Sequence, residues 1–94
     1  MDILELAILT LLSDQEELSI REIGNYLGVR NIRLSKSLKE LEKKGLIFTK
    51  ALIGNGDMII GITEEGVKEL YKNYIVLRDL VKEMEYSLCT KFDC

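Results

Sequence analysis

The sequence contains no histidine, no proline and only two cysteines. Without histidine it lacks the usual general base near neutral pH, the most frequent metal ligand and every Ser/His or Cys/His nucleophile pair. Two cysteines are too few for a four-ligand structural zinc site. Lysine and glutamate are plentiful, but no spacing singles out a carboxylate pair or a lysine for acid–base chemistry. We therefore expect neither an enzyme nor a bound metal or cofactor.

Long hydrophobic runs are also missing. No apolar segment approaches the ~18 residues that a membrane-spanning helix needs. The apolar stretch that starts at Ile3 follows Asp2, whereas a secretion signal opens with a basic region. We therefore expect no membrane partner and a cytoplasmic, intracellular location.

The residues that are present fit one small domain. The 94 residues are 47% hydrophobic and 31% charged. A chain of this length buries only about 60 to 65% of the surface that it exposes when unfolded, and this buried surface is too small to form two separate hydrophobic cores.

The net charge of −3 is distributed unevenly along the chain. Residues 1–27 carry one cation against six carboxylates, for −5, and residues 51–94 carry five against eight, for −3. Residues 28–50 carry seven cations against two carboxylates, for +5. A local positive field on an acidic protein favours contact with a specific polyanion and weakens indiscriminate DNA binding.

The first helix is predicted over residues 3–12. Asp2, with Glu5 three residues later, has the spacing of a capping box. The apolar side chains that follow form a broad face, so this helix should be covered on more than one side. A polar connection at residues 13–17 and one isolated strand-like residue, Leu18, should follow.

Two further helices are predicted, separated by a turn of about three residues. Ser19 and Glu22 repeat the capping-box spacing, so a short helix should begin directly after Ser19. Gly28 can adopt the positive φ that ends it. Asn31 is the nearest available cap for the third helix, which should run to Lys44.

The third helix separates core residues from basic residues. At ~100° per residue, its leucines lie on one side, and an isoleucine and three lysines lie roughly opposite. The leucines are Leu34, Leu38 and Leu41, and the residues opposite are Ile32, Lys36, Lys39 and Lys43. The basic side should therefore face water or a ligand.

A β-hairpin and a long helix complete the chain. Gly45 should end the third helix, and residues 46–53 and 58–63 are β-rich runs joined by a turn with a strong Asn-Gly signal. Thr63 should cap the final helix, which carries an a/d seam for three heptads. The seam residues are Val67, Leu70, Tyr74, Leu77, Val81, Met84 and Leu88.

These features resemble the winged helix-turn-helix of the MarR, ArsR and PadR families of transcriptional regulators. Residues 18–47 resemble the DNA-binding core of these families, with the sequence LSIREIGNYLGVRNIRLSKSLKELEKKGLI. Within it, LEKKGLI at 41–47 is similar to the end of their recognition helix and the start of their wing. Gly56-Asp57 and ITEEG at 62–66 resemble the MarR-type end of the wing.

The resemblance implies an α+β, mainly helical fold with a two-stranded wing and a long C-terminal dimerisation helix. Residues 1–66 would form the DNA-binding domain, and residues 67–94 would form the dimerisation helix, packed on the same single domain. Two positions depart from the family pattern. Arg30 stands where a small hydroxyl cap is usual, and Met58 stands beside Asp57 where arginine is usual. We therefore expect wing contacts only near Asn55 and from Lys50.

In a helix-turn-helix, the second helix presents its N-terminal residues to base edges while flanking lysines neutralise phosphates. The resemblance therefore implies that double-stranded DNA is the partner. The expected DNA-binding residues are Arg30, Asn31, Arg33, Ser35, Lys36, Ser37, Lys39, Lys43, Lys50 and Asn55. For Ile32 two alternatives stand, contact with a thymine methyl group or packing against Tyr26 or the turn.

The final seam favours a homodimer. It is ~30 Å long, more than a small domain requires, although packing on its own domain is the alternative. The expected interface comprises the seam residues Val67, Leu70, Tyr74, Leu77, Val81, Met84 and Leu88, together with Ile8 of the first helix. A two-fold dimer would place its recognition helices ~34 Å apart, which matches an inverted-repeat site.

Cys89 and Cys94 allow three hypotheses: inert reduced thiols, a disulfide between subunits, or a redox or metal sensor.

For the whole chain, we expect a sequence-specific homodimeric regulator that represses by occluding a promoter. The alternative from a different class is a winged helix used for protein–protein contact within a larger assembly, which the overall acidity permits.

Overall fold

The computed structural model describes residues 1–54 and 56–93. Within these residues, four helices and three strands follow one another. In order they are α1 (Ile3–Gln15), β1 (Glu17–Ser19), α2 (Ile20–Leu27), α3 (Asn31–Lys43), β2 (Ile47–Leu52), β3 (Met58–Ile62) and α4 (Glu64–Phe92). This is the mainly helical arrangement with a wing that the sequence predicts.

Both predicted capping boxes are confirmed. The Asp2 carboxylate accepts from the Glu5 backbone N–H at 2.8 Å, and the Glu5 carboxylate accepts from the Asp2 N–H at 3.2 Å. Ser19 and Glu22 make the same reciprocal pair at 3.1 and 3.0 Å, and α2 begins directly after Ser19. Each box satisfies two amides that the first turn of a helix leaves without partners.

The predicted cap of α3 is wrong. Arg30 occupies the N-cap position with extended backbone angles and makes no side-chain cap hydrogen bond, while Asn31 is already the first helical residue. A guanidinium has only donors, so Arg30 cannot accept from the first-turn amides. The helix also ends at Lys43, one residue earlier than predicted, and Gly45 follows with a φ of +76°.

The sheet has three strands, in the order β1-β3-β2, and all pairs are antiparallel. The predicted hairpin is formed by β2 and β3. The third strand was not predicted, since only Leu18 had strand character. It forms because β3 has a second free edge, where Leu18 lies opposite Ile60 and both side chains become buried.

The core lies where α1, α2 and α3 meet the sheet. Ile8, Leu9 and Leu12 of α1 are fully buried, as are Ile23 of α2 and Leu34 of α3. Because α1 contacts α2, α3, α4 and the sheet, its broad apolar face is covered on several sides, as the sequence indicates.

α4 contacts α1 with its N-terminal half and then extends past the rest of the chain. At 1.5 Å per residue its 29 residues span about 43 Å, and the molecule measures 53 × 26 × 20 Å. Gly66, in its first turn, is buried against the backbone of Leu46. No helix in the described ranges has the length and apolarity that a membrane span requires.

Candidate nucleic-acid interface

The orientation of α3 follows from its leucines. Leu34 and Leu41 are fully buried and Leu38 is nearly so, which confirms the predicted inner face. The opposite side of the helix is therefore turned away from the core, because residues about 180° apart on a helix cannot both face it.

The cations of α3 and of its N-cap are exposed. We call them the cationic face, and they are Arg30, Arg33, Lys36, Lys39 and Lys43. Among the described residues, none of them lies within 4.0 Å of a carboxylate oxygen. Five other cations do make such pairs, namely Lys44, Lys50, Lys68, Lys72 and Arg78. Of the eight lysines and arginines that make no such pair among the described residues, five belong to the cationic face, and the other three are Arg21, Lys82 and Lys91.

Three polar residues of α3 have different positions. Asn31 and Ser35 are exposed and line a shallow pocket shared with the wing residues Gly56 and Asp57. Ser37 is only 9% exposed, so its expected role as a donor to DNA is wrong. The same helical angle that predicts the leucine face places Ser37 about 60° from Leu34, on the inner side.

An apolar crevice separates α3 from the sheet. Its floor includes Leu38, Ile47 and Ile60. At one edge the Thr49 hydroxyl of β2 donates to the Glu42 carboxylate of α3 at 3.0 Å. This hydrogen bond joins the wing to α3, and the sequence analysis does not predict it.

The wing carries little free positive charge in its described part. Lys50 lies 2.6 Å from the carboxylate of Glu17 on β1, so the ammonium is held across the sheet. Leu52 is 79% exposed and Ile53 is half-exposed, which makes this segment apolar. Asn55 lies outside the described residues, so its expected contact with DNA stays a prediction.

The predicted seam of α4 is exposed in the single chain. Six of its seven residues are between 40% and 53% exposed, and Leu70 is half-buried. The six are Val67, Tyr74, Leu77, Val81, Met84 and Leu88. From Val67 to Leu77 the seam borders α1, so the alternative in which it packs on its own domain stays open for that part.

Ile8 does not belong to this exposed surface. It is fully buried within the chain's own core, so its expected place in a dimer interface is wrong. The α1 residues that border α4 at the surface are Leu6, Thr10 and Ser13, which line a groove with Leu70 and other residues of α4. A local pattern could not show which α1 side chains the core would occupy.

No group of three or more possible metal ligands comes together within the described part of the chain. Cys89 lies near the C-terminal end of α4, and Cys94 is outside the described residues. The hypothesis of a disulfide between subunits therefore stays a prediction.

A short helix, an exposed basic helix and a β-hairpin in this order define a winged helix-turn-helix protein. The particular family follows from comparison with known proteins. The MarR family model matches residues 2–48, which is half of the chain, and the chain therefore belongs to the MarR family. This is a family of transcriptional regulators and not of enzymes.

Solved structures of transcriptional regulators share the fold. BldR from Sulfolobus solfataricus is 29% identical with a TM-score of 0.82, and the match covers 92% of this chain and 62% of that one. PcaV from Streptomyces coelicolor, solved with its natural ligand, is 16% identical with a TM-score of 0.83, and the match covers 99% of this chain and 70% of PcaV. The zinc-responsive ZitR from Lactococcus lactis is 19% identical with a TM-score of 0.72, and the match covers 98% of this chain and 63% of ZitR.

This chain thus spans less than two thirds of the length of BldR. A comparison with curated protein sequences gives no significant match.

Proposed function

We propose that this chain binds double-stranded DNA as a homodimer and regulates transcription, with repression by promoter occlusion as the mode of action. The observation that carries the proposal is the cationic face, whose charges are exposed and have no carboxylate partner among the described residues. Residues 1–66 form the DNA-binding part in this proposal, and residues 67–94 form the dimerisation helix.

Some neighbours within the cationic face carry like charges, although Glu40 and Glu42 also lie three or four residues from its lysines. Arg33 and Lys36 are three residues apart, and Lys39 and Lys43 are four apart, so like charges are neighbours along the helix. Each such pair destabilises a helix by about 0.2–0.5 kcal/mol. Phosphates would remove this repulsion, because each bound cation then has an anionic partner and counterions leave the DNA.

Positions along α3 support different roles for the cations. Asn31, Arg33 and Lys36 lie in the first two turns, the part of a recognition helix that reaches base edges. Lys39 and Lys43 lie further along and are assigned to phosphates, as is Arg30 at the cap. Ser35 is exposed and lines a pocket with wing residues, and we assign its hydroxyl as a donor to the same duplex.

The exposed seam of α4 supports the dimer. Apolar side chains that repeat at a/d spacing and stay about half exposed gain free energy when a second copy covers them. The surface residues of α1, such as Leu6 and Thr10, would lie beside this interface. Two-fold symmetry would then set the two α3 helices about 34 Å apart, one helical turn of DNA, and favour an inverted-repeat site.

Selection of bound fragments from random duplexes tests the proposal, followed by binding titrations at several salt concentrations. We expect an inverted repeat with half-site centres about 10 base pairs apart and an affinity that falls steeply with salt. A protein that acts only through protein–protein contacts would select no sequence. That result would overturn the proposal and favour a module of a larger assembly.

A further inference from the structure

Ile32 is the most exposed large hydrophobic side chain in the described part of the chain, at 87%. It is the second residue of α3 and lies about 160° around the helix from the buried Leu34. The alternative that it packs against Tyr26 or the turn is wrong, since Ile32 is nearly free of contacts and Tyr26 is itself 61% exposed.

Single exposed apolar residues are common on protein surfaces, so exposure alone decides nothing. The position of Ile32 is more informative. Lys36, Lys39 and Lys43 follow it at +4, +7 and +11, so Ile32 begins the stripe that the cationic face presents outward. A β-branched residue lowers helix propensity here, and the core gains nothing from it. Neither helix stability nor packing within the chain accounts for an isoleucine at this position.

We propose that Ile32 contacts the 5-methyl group of a thymine in the major groove and thereby selects thymine at one position of each half-site. This rests on the proposed DNA binding. Among the four bases, only thymine presents a methyl group in the major groove, and an apolar side chain is the group that recognises it. The N-terminal turn of a recognition helix is the part that approaches base edges, while the lysines further along the stripe meet phosphates.

Replacement of thymine by deoxyuridine tests the contact, because it removes the methyl group and keeps base pairing and the other groove atoms. The duplex is the one selected by the full chain, and each thymine is replaced in turn. Burying one methyl group contributes about 0.8 kcal/mol, which is about fourfold in affinity. We expect this loss at one position of each half-site. Ile32→Ala should bind the thymine and deoxyuridine duplexes equally at that position.

Ile3→Ala is the matched control, since Ile3 is 84% exposed and lies at the start of α1. The Ile3→Ala protein should lose as much affinity as the wild type when deoxyuridine replaces the contacted thymine. Wild-type binding that tolerates deoxyuridine at every position would overturn the inference, as would a penalty that persists in Ile32→Ala. In both cases DNA binding itself would stand. A wild-type chain with no sequence preference would instead overturn the proposed function, and this inference with it.

Discussion

The carboxylate of Asp57, at the end of the wing turn, accepts a hydrogen bond at 3.3 Å from the backbone N–H of Arg21, the second residue of α2. The same oxygen accepts from the Met58 N–H at 2.9 Å. Ser19 caps the next amide of α2, that of Glu22. The first turn of α2 is thus capped partly by the wing residue Asp57, which lies 36 residues further along the chain than Arg21.

Asp57→Ala should destabilise the fold by about 1 kcal/mol, because it leaves the Arg21 amide without this acceptor and removes a negative charge from a helix N-terminus. For a domain of this size that corresponds to a fall in Tm of roughly 4–8 °C. Asp57→Asn keeps an oxygen acceptor and should lose less. Urea and thermal denaturation give both values, and equal stability of Asp57→Ala and the wild type would show that the bond contributes nothing.

Gly66→Ala should destabilise the fold although it improves helix propensity. Alanine gains about 1 kcal/mol over glycine within a helix. A Cβ at Gly66, however, would come 2.1 Å from the carbonyl oxygen of Leu46, which is held by a hydrogen bond from the Thr63 N–H. Backbone cannot move away as a flexible side chain can, so we expect a net loss of about 2 kcal/mol or more.

Glu65→Ala, one residue earlier and exposed, is the control for Gly66→Ala. Its stability should stay within about 0.5 kcal/mol of the wild type. Urea denaturation compares the two variants. A Gly66→Ala protein as stable as the control would mean that α4 does not approach Leu46 this closely.

Val81→Glu should weaken self-association more than about tenfold, because it buries an unpaired carboxylate in the proposed dimer seam. Val76→Glu introduces the same change one residue before Leu77, about 100° around the helix from the seam. Both valines are exposed in the single chain, at 47% and 67%, so neither change disturbs the core. Sedimentation at micromolar concentration should show a monomer only for Val81→Glu. If both variants sediment as dimers, another surface joins the subunits.

Arg33→Ala and Lys43→Ala should affect DNA binding differently. Loss of Arg33 should cost about 1–3 kcal/mol on the selected site and relax specificity there. Loss of Lys43 should weaken binding to all duplexes alike. It should also lower the slope of the logarithm of the binding constant against the logarithm of salt concentration by about one for each recognition helix bound. Lys82→Ala, an exposed lysine of α4, is the control and should leave both quantities unchanged. Unchanged affinity in both α3 variants would mean that α3 is not the recognition helix.

Local chemistry made much of this molecule predictable from its residues. Capping boxes, glycines with positive φ and apolar periodicity act within one or two turns, so they gave the starts of α1 and α2, the end of α2 and the inner face of α3. The family resemblance was readable for the same reason, since its motifs are short and contiguous. The uneven charge likewise marked α3 as the candidate interface.

Contacts between distant segments account for what the residues alone did not reveal. β1 exists because β3 offers it a free edge, and Asp57 caps α2 because the wing folds back onto it. Ile8, expected at the dimer interface, is instead buried in the core of its own chain. Burial depends on which other elements cover each face, and a pattern confined to one helix carries no information about its neighbours.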